Sequence, residues 1–317
     1  GNTTASERPM FRKYIVDTLK LWVNDYHVDG FRFDQMGLID KQTMVTVEKE
    51  LHAIDPTIIL YGEPWGGMGA AVRFGKSDVG GTRVAAFNDE FRDALRGSVF
   101  DATVKGFLMG ALSKETLVKR GVAGSIEYDD VIKSFAKDPE ETINYVECHD
   151  NHTLWDKNYL AAQLTSQGVP FLQAGQDFAR TKNGNENSYN SPISINGLDY
   201  ARKAQFIDVF NYYKGLIQMR KEHIAFRQRT AADIKTKITF LPSPRKGVMF
   251  TINDANDPWK EIVVIYNGEI KEQQFSLPDG TWNVVVDQAN AGTTPLYQVS
   301  GKISVKATSA MVMYKAK

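Results

Sequence analysis

The sequence predicts an α/β fold in which parallel strands alternate with helices and a β-rich region follows. Three observations predict it. Val28-Asp29-Gly30-Phe31-Arg32-Phe33-Asp34 and Ile58-Ile59-Leu60-Tyr61-Gly62-Glu63-Pro64-Trp65 are compact apolar runs that close on acids, about one βα unit apart. Between them, Met44, Val47, Leu51 and Ile54 recur at helical spacing across Lys41 to Ile54. Beyond Glu222 the apolar period changes from helix-like to strand-like. Strand, helix and strand, with an acid at the carboxyl end of each strand, is the way a parallel α/β barrel presents reactive groups.

Taken in order, Gly1 to Pro9 reads as a polar loop leading into a helix, with Ser6 as N-cap and Pro9 in the first turn. Ile15, Leu19, Trp22, Val23 and Tyr26 form the apolar stripe of that helix, just before the strand that ends at Asp34. Gly66 to Thr82 is glycine-rich and reads as a long loop over the site. Arg83 to Asn88 is a strand, and Gly97 to Glu141 is mixed, with a helical turn starting near Ser113-Lys114-Glu115-Thr116. Ile143 to His152 is a third apolar run ending in ionisable residues. Tyr159 to Gln167 reads as helix, Val169 to Gly175 as strand, and Gln205 to Glu222 as an amphipathic helix with Phe206, Ile207, Phe210, Tyr213, Leu216 and Ile217 on its apolar face. Val248–Ile252, Glu261–Tyr266, Thr281–Val286 and Ala310–Tyr314 are β-rich runs, separated by turn signals at Asn267-Gly268 and Pro278-Asp279-Gly280.

Carboxylates in pairs are the apparatus for cleaving a glycosidic bond. An acid at a strand end is commonly just a solvated residue. Asp34, Glu63 and Asp150 in the same topological position would all point into one mouth.

Asp29-Gly30-Phe31-Arg32-Phe33-Asp34, Tyr61-Gly62-Glu63-Pro64-Trp65 and Glu147-Cys148-His149-Asp150-Asn151-His152 resemble three of the four signature regions of α-amylase-type glycoside hydrolases (family 13). His149 to Asp156 and Asn187-Ser188-Tyr189-Asn190-Ser191-Pro192 narrow the resemblance to type I pullulanases, which debranch α-1,6 linkages. The resemblance implies a retaining mechanism with Asp34 as nucleophile, Glu63 as general acid/base and Asp150 as the third carboxylate, gripping sugar hydroxyls. It implies carboxyls roughly 5–5.5 Å apart for the first two. Arg32, on the same strand face as Asp34, would hold that acid ionised and oriented. Leu60, Tyr61 and Trp65 would surround Glu63 with apolar matter, helping it keep its proton until it is needed.

His149 resembles a histidine that bonds the sugar at the cleavage subsite; a structural histidine is the alternative. Trp65 and Trp155 are candidate platforms for sugar rings, core packing being the alternative for each. Asn151 and Asn88 are rim candidates, and Cys148 reads as a small buried strand residue.

The resemblance also implies an architecture: the C-terminal part of a (β/α)8 barrel over residues 1–240 and an antiparallel β-sandwich over 241–317. The first signature region has no counterpart here. The strand ending at Asp34 would be the fourth of the barrel, Arg83–Asn88 the sixth and Val169–Gly175 the eighth. The expectation is therefore the C-terminal piece of a cleaved or truncated enzyme that depends on its N-terminal portion, present as a separate chain. In the Asn-Ser-Tyr-x-Ser-Pro stretch an acid is expected after the proline; this sequence has Ile193.

Composition fits. With 317 residues, 38 basic and 38 acidic, the formal charge is zero, which argues against nucleic acid or an anionic membrane as partner. One cysteine excludes an internal disulfide. No apolar run is long enough to span a bilayer, and the start carries no signal-peptide pattern. The compartment stays open between secreted, cell-envelope and cytoplasmic. No cofactor is expected, and structural calcium, common among amylase relatives, has no assignable residues. The alternatives are an α-1,4-acting or transglycosylating enzyme of the same superfamily, and a catalytically incomplete glucan-binding fragment.

Overall fold

The computed structural model of the chain describes residues 4–67, 69–101, 103–156 and 162–317. Helix α1 (Pro9–Tyr26) starts on its proline, where the missing N–H costs nothing, and ends at His27 in the left-handed region. Ser6 is not its N-cap. That place belongs to Arg8, which makes no side-chain cap bond, while Ser6 is buried and its Oγ accepts the Asp40 N–H at 2.9 Å. Asp40 in turn caps α2 (Lys41–His52) by accepting the Thr43 N–H at 3.1 Å. Ser6 thus ties the entry of α1 to the start of α2.

Strands β1 (Gly30–Phe33) and β2 (Ile59–Gly62) flank α2. The short helix α3 (Lys76–Val79) precedes β3 (Ala85–Phe87), and α4 (Asp89–Arg96) and α5 (Glu115–Val122) precede β4 (Thr142–Asn144) and β5 (Val169–Pro170). The five strands form one parallel sheet in chain order, β1-β2-β3-β4-β5. Alternation along each strand sorts its side chains. Leu60 and Ala86 face an outer layer with Val16, Met44, Val47 and Leu51 from α1 and α2. Tyr61, Ala85, Phe87 and Ile143 face inward with Trp65, Tyr145 and Phe171. The inner rings meet edge to face, Phe87 lying 5.6 Å from Tyr61, 5.0 Å from Tyr145 and 5.3 Å from Phe171.

The strand expected over Val169–Gly175 is shorter than its pattern, although the Phe171 N–H still bonds the Asn144 carbonyl at 2.9 Å. Gly175 then turns with φ 93°, and Gln176 opens a 3₁₀ turn. Of the helix expected over Tyr159–Gln167, residues 159–161 lie outside the described residues, and Ala162–Thr165 form a 3₁₀ turn. After α6 (Ile193–Asn196) and α7 (Ala201–Gln205), the chain breaks at Phe206 before α8 (Ile207–Glu222). Tyr213 and Leu216 of the expected stripe are buried, but Ile207 and Ile217 face solvent.

Helix α9 (Ala231–Lys237) leads into β6 (Ile238–Leu241), β7 (Gly247–Ile252), β8 (Trp259–Asn267), β9 (Gln273–Ser276), β10 (Trp282–Val286), β11 (Tyr297–Val299), β12 (Lys302–Val305) and β13 (Ser309–Ala316). An antiparallel sheet of order β11-β10-β13-β8-β7-β6 packs one face on the β9–β12 pair through Met249, Val263, Ile265, Phe275 and Trp282. Its other face meets α5 and α8 through Val248, Phe250, Ile262 and Val264 against Val118, Val122, Leu216 and Met219. Buried Asp257 joins the two parts, accepting from the Ala225 and Trp259 N–H groups and lying 2.7 Å from His223 Nδ1. Part of a parallel barrel followed by a small antiparallel β-sandwich is the class the sequence led us to expect.

Candidate active site

Asp34 and Glu63 leave the carboxyl ends of neighbouring strands. The β1–β2 register pairs Arg32 with Tyr61 and Phe33 with Gly62, so the next residue on each strand is an acid facing its counterpart. Close backbone approach holds this register. A Cβ on Gly62 would meet the Phe33 carbonyl at 2.6 Å, and one on Gly37 would meet the Trp65 backbone at 2.6 Å. The Gly37 N–H donates to the Glu63 carbonyl at 2.9 Å, fastening the turn after Asp34 under the second strand end.

One guanidinium spans both acids. Arg32 donates to Asp34 Oδ1 at 2.8 Å and to Glu63 Oε1 at 2.5 Å. Glu63 Oε2 accepts the Gln35 N–H at 2.9 Å. Gln35 has φ 44°, a left-handed geometry uncommon outside glycine, so strain sits beside the acid pair. The two acids differ in surroundings: Glu63 is 7% exposed, whereas the Asp34 side chain is 69% exposed. Tyr61 and half-buried Trp65 lie on the inner face near Glu63, but Leu60 does not. It packs in the outer layer, because one residue along a strand reverses the side-chain direction.

Asp150 and His149 follow β4 on an exposed turn, with His149 Nε2 3.6 Å from Asp150 Oδ1. Cys148 relates this turn to the first pair. Burial pushes its thiol up, and the charges of Asp150 and Glu63 push the same way, so both acids lie within electrostatic reach of that sulfur. Cys148 is half-buried and lies beyond the end of β4, since the strand stops at Asn144. Asn151 adopts a left-handed φ of 62° and donates to Glu186 at 3.1 Å. Lys182, 2% exposed, donates to the His149 carbonyl at 3.2 Å. The exposed Ile193 stands in the first turn of α6.

Two candidates are placed elsewhere. Trp155 packs its ring 4.5 Å from Phe206, with Arg202 above it, and lines a cleft against Tyr212 of α8 and Thr308–Ala310 of the β-domain. Asn88 is buried, not on a rim. It caps α4 through Phe91 N–H and donates to Ser125 Oγ and Asn144 Oδ1, each at 2.8 Å. Residues the motifs left unnoticed include Arg96, Glu147 and Lys182, whose burial no local pattern signals. Among the described residues, no three His, Cys, Asp or Glu side chains gather as a metal site, and no helix is long and apolar enough to cross a membrane.

Comparison with known proteins places this geometry in context. A family model described as "Pullulanase, all-beta domain" matches residues 234–290. The chain is 35% identical to the pullulanase of Bacillus subtilis (strain 168), across 100% of this chain and 47% of that protein. It is 31% identical to the chloroplastic pullulanase 1 of Arabidopsis thaliana, across 87% of this chain and 41% of that one. Among solved structures, the pullulanase from Bacillus acidopullulyticus superposes with a TM-score of 0.91 at 43% identity, covering 98% of this chain and 41% of that one. The type I pullulanase of B. subtilis complexed with maltose gives 0.90 at 33% identity, covering 99% and 47%. A Paenibacillus barengoltzii pullulanase variant complexed with maltotetraose gives 0.88 at 38%, covering 99% and 52%. The chain spans about half the length of the first of these relatives, or less.

Proposed function

We propose that this chain, 35% identical over its whole length to a pullulanase, is part of an enzyme of that family and carries the reacting groups of an α-1,6-glucan debranching hydrolase. The substrates are pullulan, amylopectin or limit dextrins. The observation that carries the reading is the single Arg32 guanidinium shared by two acids at adjacent parallel strand ends. Solved relatives described as complexes with maltose and maltotetraose support a glucan as the ligand.

The mechanism is double displacement. Asp34, open to solvent and oriented by Arg32, attacks the anomeric carbon as Glu63 passes its proton to the departing glycosidic oxygen. A covalent glycosyl ester on Asp34 results. Glu63, now ionised, takes a proton from water, which attacks the same carbon and frees Asp34. Each oxygen of Glu63 accepts one hydrogen bond in the free site, from Arg32 and from the Gln35 N–H, and keeps a second lone pair able to carry the proton. Asp150 and His149 grip sugar hydroxyls beside the reacting carbon, and Asn151, fixed by Glu186, borders them. Trp65 serves as the platform nearest the acids. Trp155 contacts glucan further along the chain, in its cleft against the β-domain.

The reading divides the chain at residue 240 between a barrel portion and a β-sandwich; the change from parallel to antiparallel strands falls just before it, because β6 (Ile238–Leu241) already pairs with β7. It also carries a partner: an N-terminal portion of the same enzyme, present as a separate chain and pairing beyond β1 and β5. Both strands have one neighbour each among the described residues, which supports a completing segment. Intact mass of the natively purified material under denaturing conditions tests the partner; one species of this chain alone refutes it. For the reaction, Asp34→Asn should abolish release of maltotriose from pullulan and Glu63→Gln should lower it by roughly 10²–10⁴-fold. Undiminished release from either variant refutes the assignment.

A further inference from the structure

The turn that presents His149 and Asp150 is exposed, yet its two ends are fixed by buried charged groups that the reaction does not use. Arg96, on the last turn of α4, is 1% exposed. It donates to the Val146 carbonyl at 2.8 Å, where the turn begins, and to the His152 carbonyl at 2.8 Å and the Thr153 carbonyl at 3.4 Å, where it returns. Glu147, 2% exposed, accepts the Leu154 N–H with Oε2 and so closes the same loop from inside. Its Oε1 is buried and has no partner among the described residues.

We propose that Glu147 and Arg96 are positioning residues for Asp150, clamping both ends of the 147–154 turn so that its carboxylate is aimed at the reacting sugar. The proposal rests on the assignment of Asp150 to the site and goes beyond it, because neither residue reaches the mouth. Helix α4 starts beside the sheet at Asn88 and ends at Arg96, so the clamp ties the turn to a rigid element.

The clamp has a charge state. Burial pushes the Glu147 carboxyl up to about 7, against the Leu154 N–H bond and the charges of Arg96 and Arg180, while Asp156 pushes it further up. Tyr213 of α8 faces it as well and feels its charge. Below that value Glu147 is protonated and neutral, and Arg96 keeps its charge against the backbone carbonyls it bonds. Above it, a negative charge is buried with one oxygen unpartnered, an arrangement that costs free energy and that loosening the turn relieves. The aimed turn is therefore the state in which Glu147 is protonated, and ionising Glu147 adds to the alkaline loss of activity.

Three variants of the natively purified protein, with any accompanying chain, test this. Glu147→Gln keeps the shape and the acceptor for Leu154 N–H but cannot ionise. It should match the parent kcat below pH 6 and move the alkaline limb of kcat to higher pH. Glu147→Leu removes the acceptor and should lower kcat roughly tenfold or more with KM changed less, since the third carboxylate acts mainly in the transition state. Parent-like kcat, KM and pH limb in both variants, in protein shown to be folded, overturns the proposal. Asp150→Asn separates the two failures. If it keeps full activity, the site reading itself is wrong; if it is inactive while both Glu147 variants behave as the parent, only the clamp is wrong.

Discussion

Arg32 serves both acids with one planar group, and a lysine there has a single ammonium that cannot span them. Arg32→Lys should reduce kcat on pullulan by roughly 10- to 100-fold, about 1.4–2.7 kcal/mol; an unchanged kcat would show the bridge idle. Glu147 makes a prediction about stability. Its folded-state value near 7 lies above the ordinary carboxyl value of 4.5, so its stabilising contribution is complete below pH 4.5 and is lost as pH rises through 7. Unfolding free energy should fall across that window by an amount on the order of 3 kcal/mol. Denaturant titrations at pH 5 and pH 8 should show that fall in the parent and much less of it in Glu147→Gln. Asp34, Glu63 and Asp150 stand out as candidates in the sequence because short apolar runs end on or near them and the motifs are local. Glu147 lies in one of the same motifs, yet its burial and the charges of Arg96 and Arg180 give it its character, and no short window of sequence contains those neighbours. Leu60 was assigned to the wrong face for a simpler reason: its neighbour in sequence is its opposite in a strand.

Among the elements, α1, β1, α2, β2 and β3 are readable in the sequence as far as Asn88, whereas α3 lies in a stretch that reads as loop and α4 (Asp89–Arg96) is not signalled. Beyond it, strand lengths were over-read. Tyr145 and Val146 have strand-like side chains, but the backbone after Asn144 turns into the clamped loop. Glycine and proline shorten β5 in the same way. The β6, β9, β11 and β12 strands are not signalled in the sequence because they are short and partly polar. Asn88 shows what a polar residue at a strand end can do instead of meeting substrate. It caps α4 and bonds Ser125 and Asn144 in a buried row, so Asn88→Ala should cost about 1–3 kcal/mol. Thermal unfolding checks this, and an unshifted midpoint would contradict it.

For the whole molecule, the six-stranded β-sheet covers the outer helices of the barrel portion, and the buried His223–Asp257 contact fastens the chain leaving α8 to that sheet. The parallel sheet presents its acids at one end and has a single neighbour at each outer strand among the described residues. The account therefore makes the reaction a property of the completed barrel, with this chain supplying the acids. Product analysis on pullulan, using the natively purified protein with any accompanying chain, tests that claim most directly. The account predicts maltotriose from the parent and none from Asp34→Asn; panose-type products, or glucan binding without hydrolysis when the N-terminal portion is supplied, would contradict it.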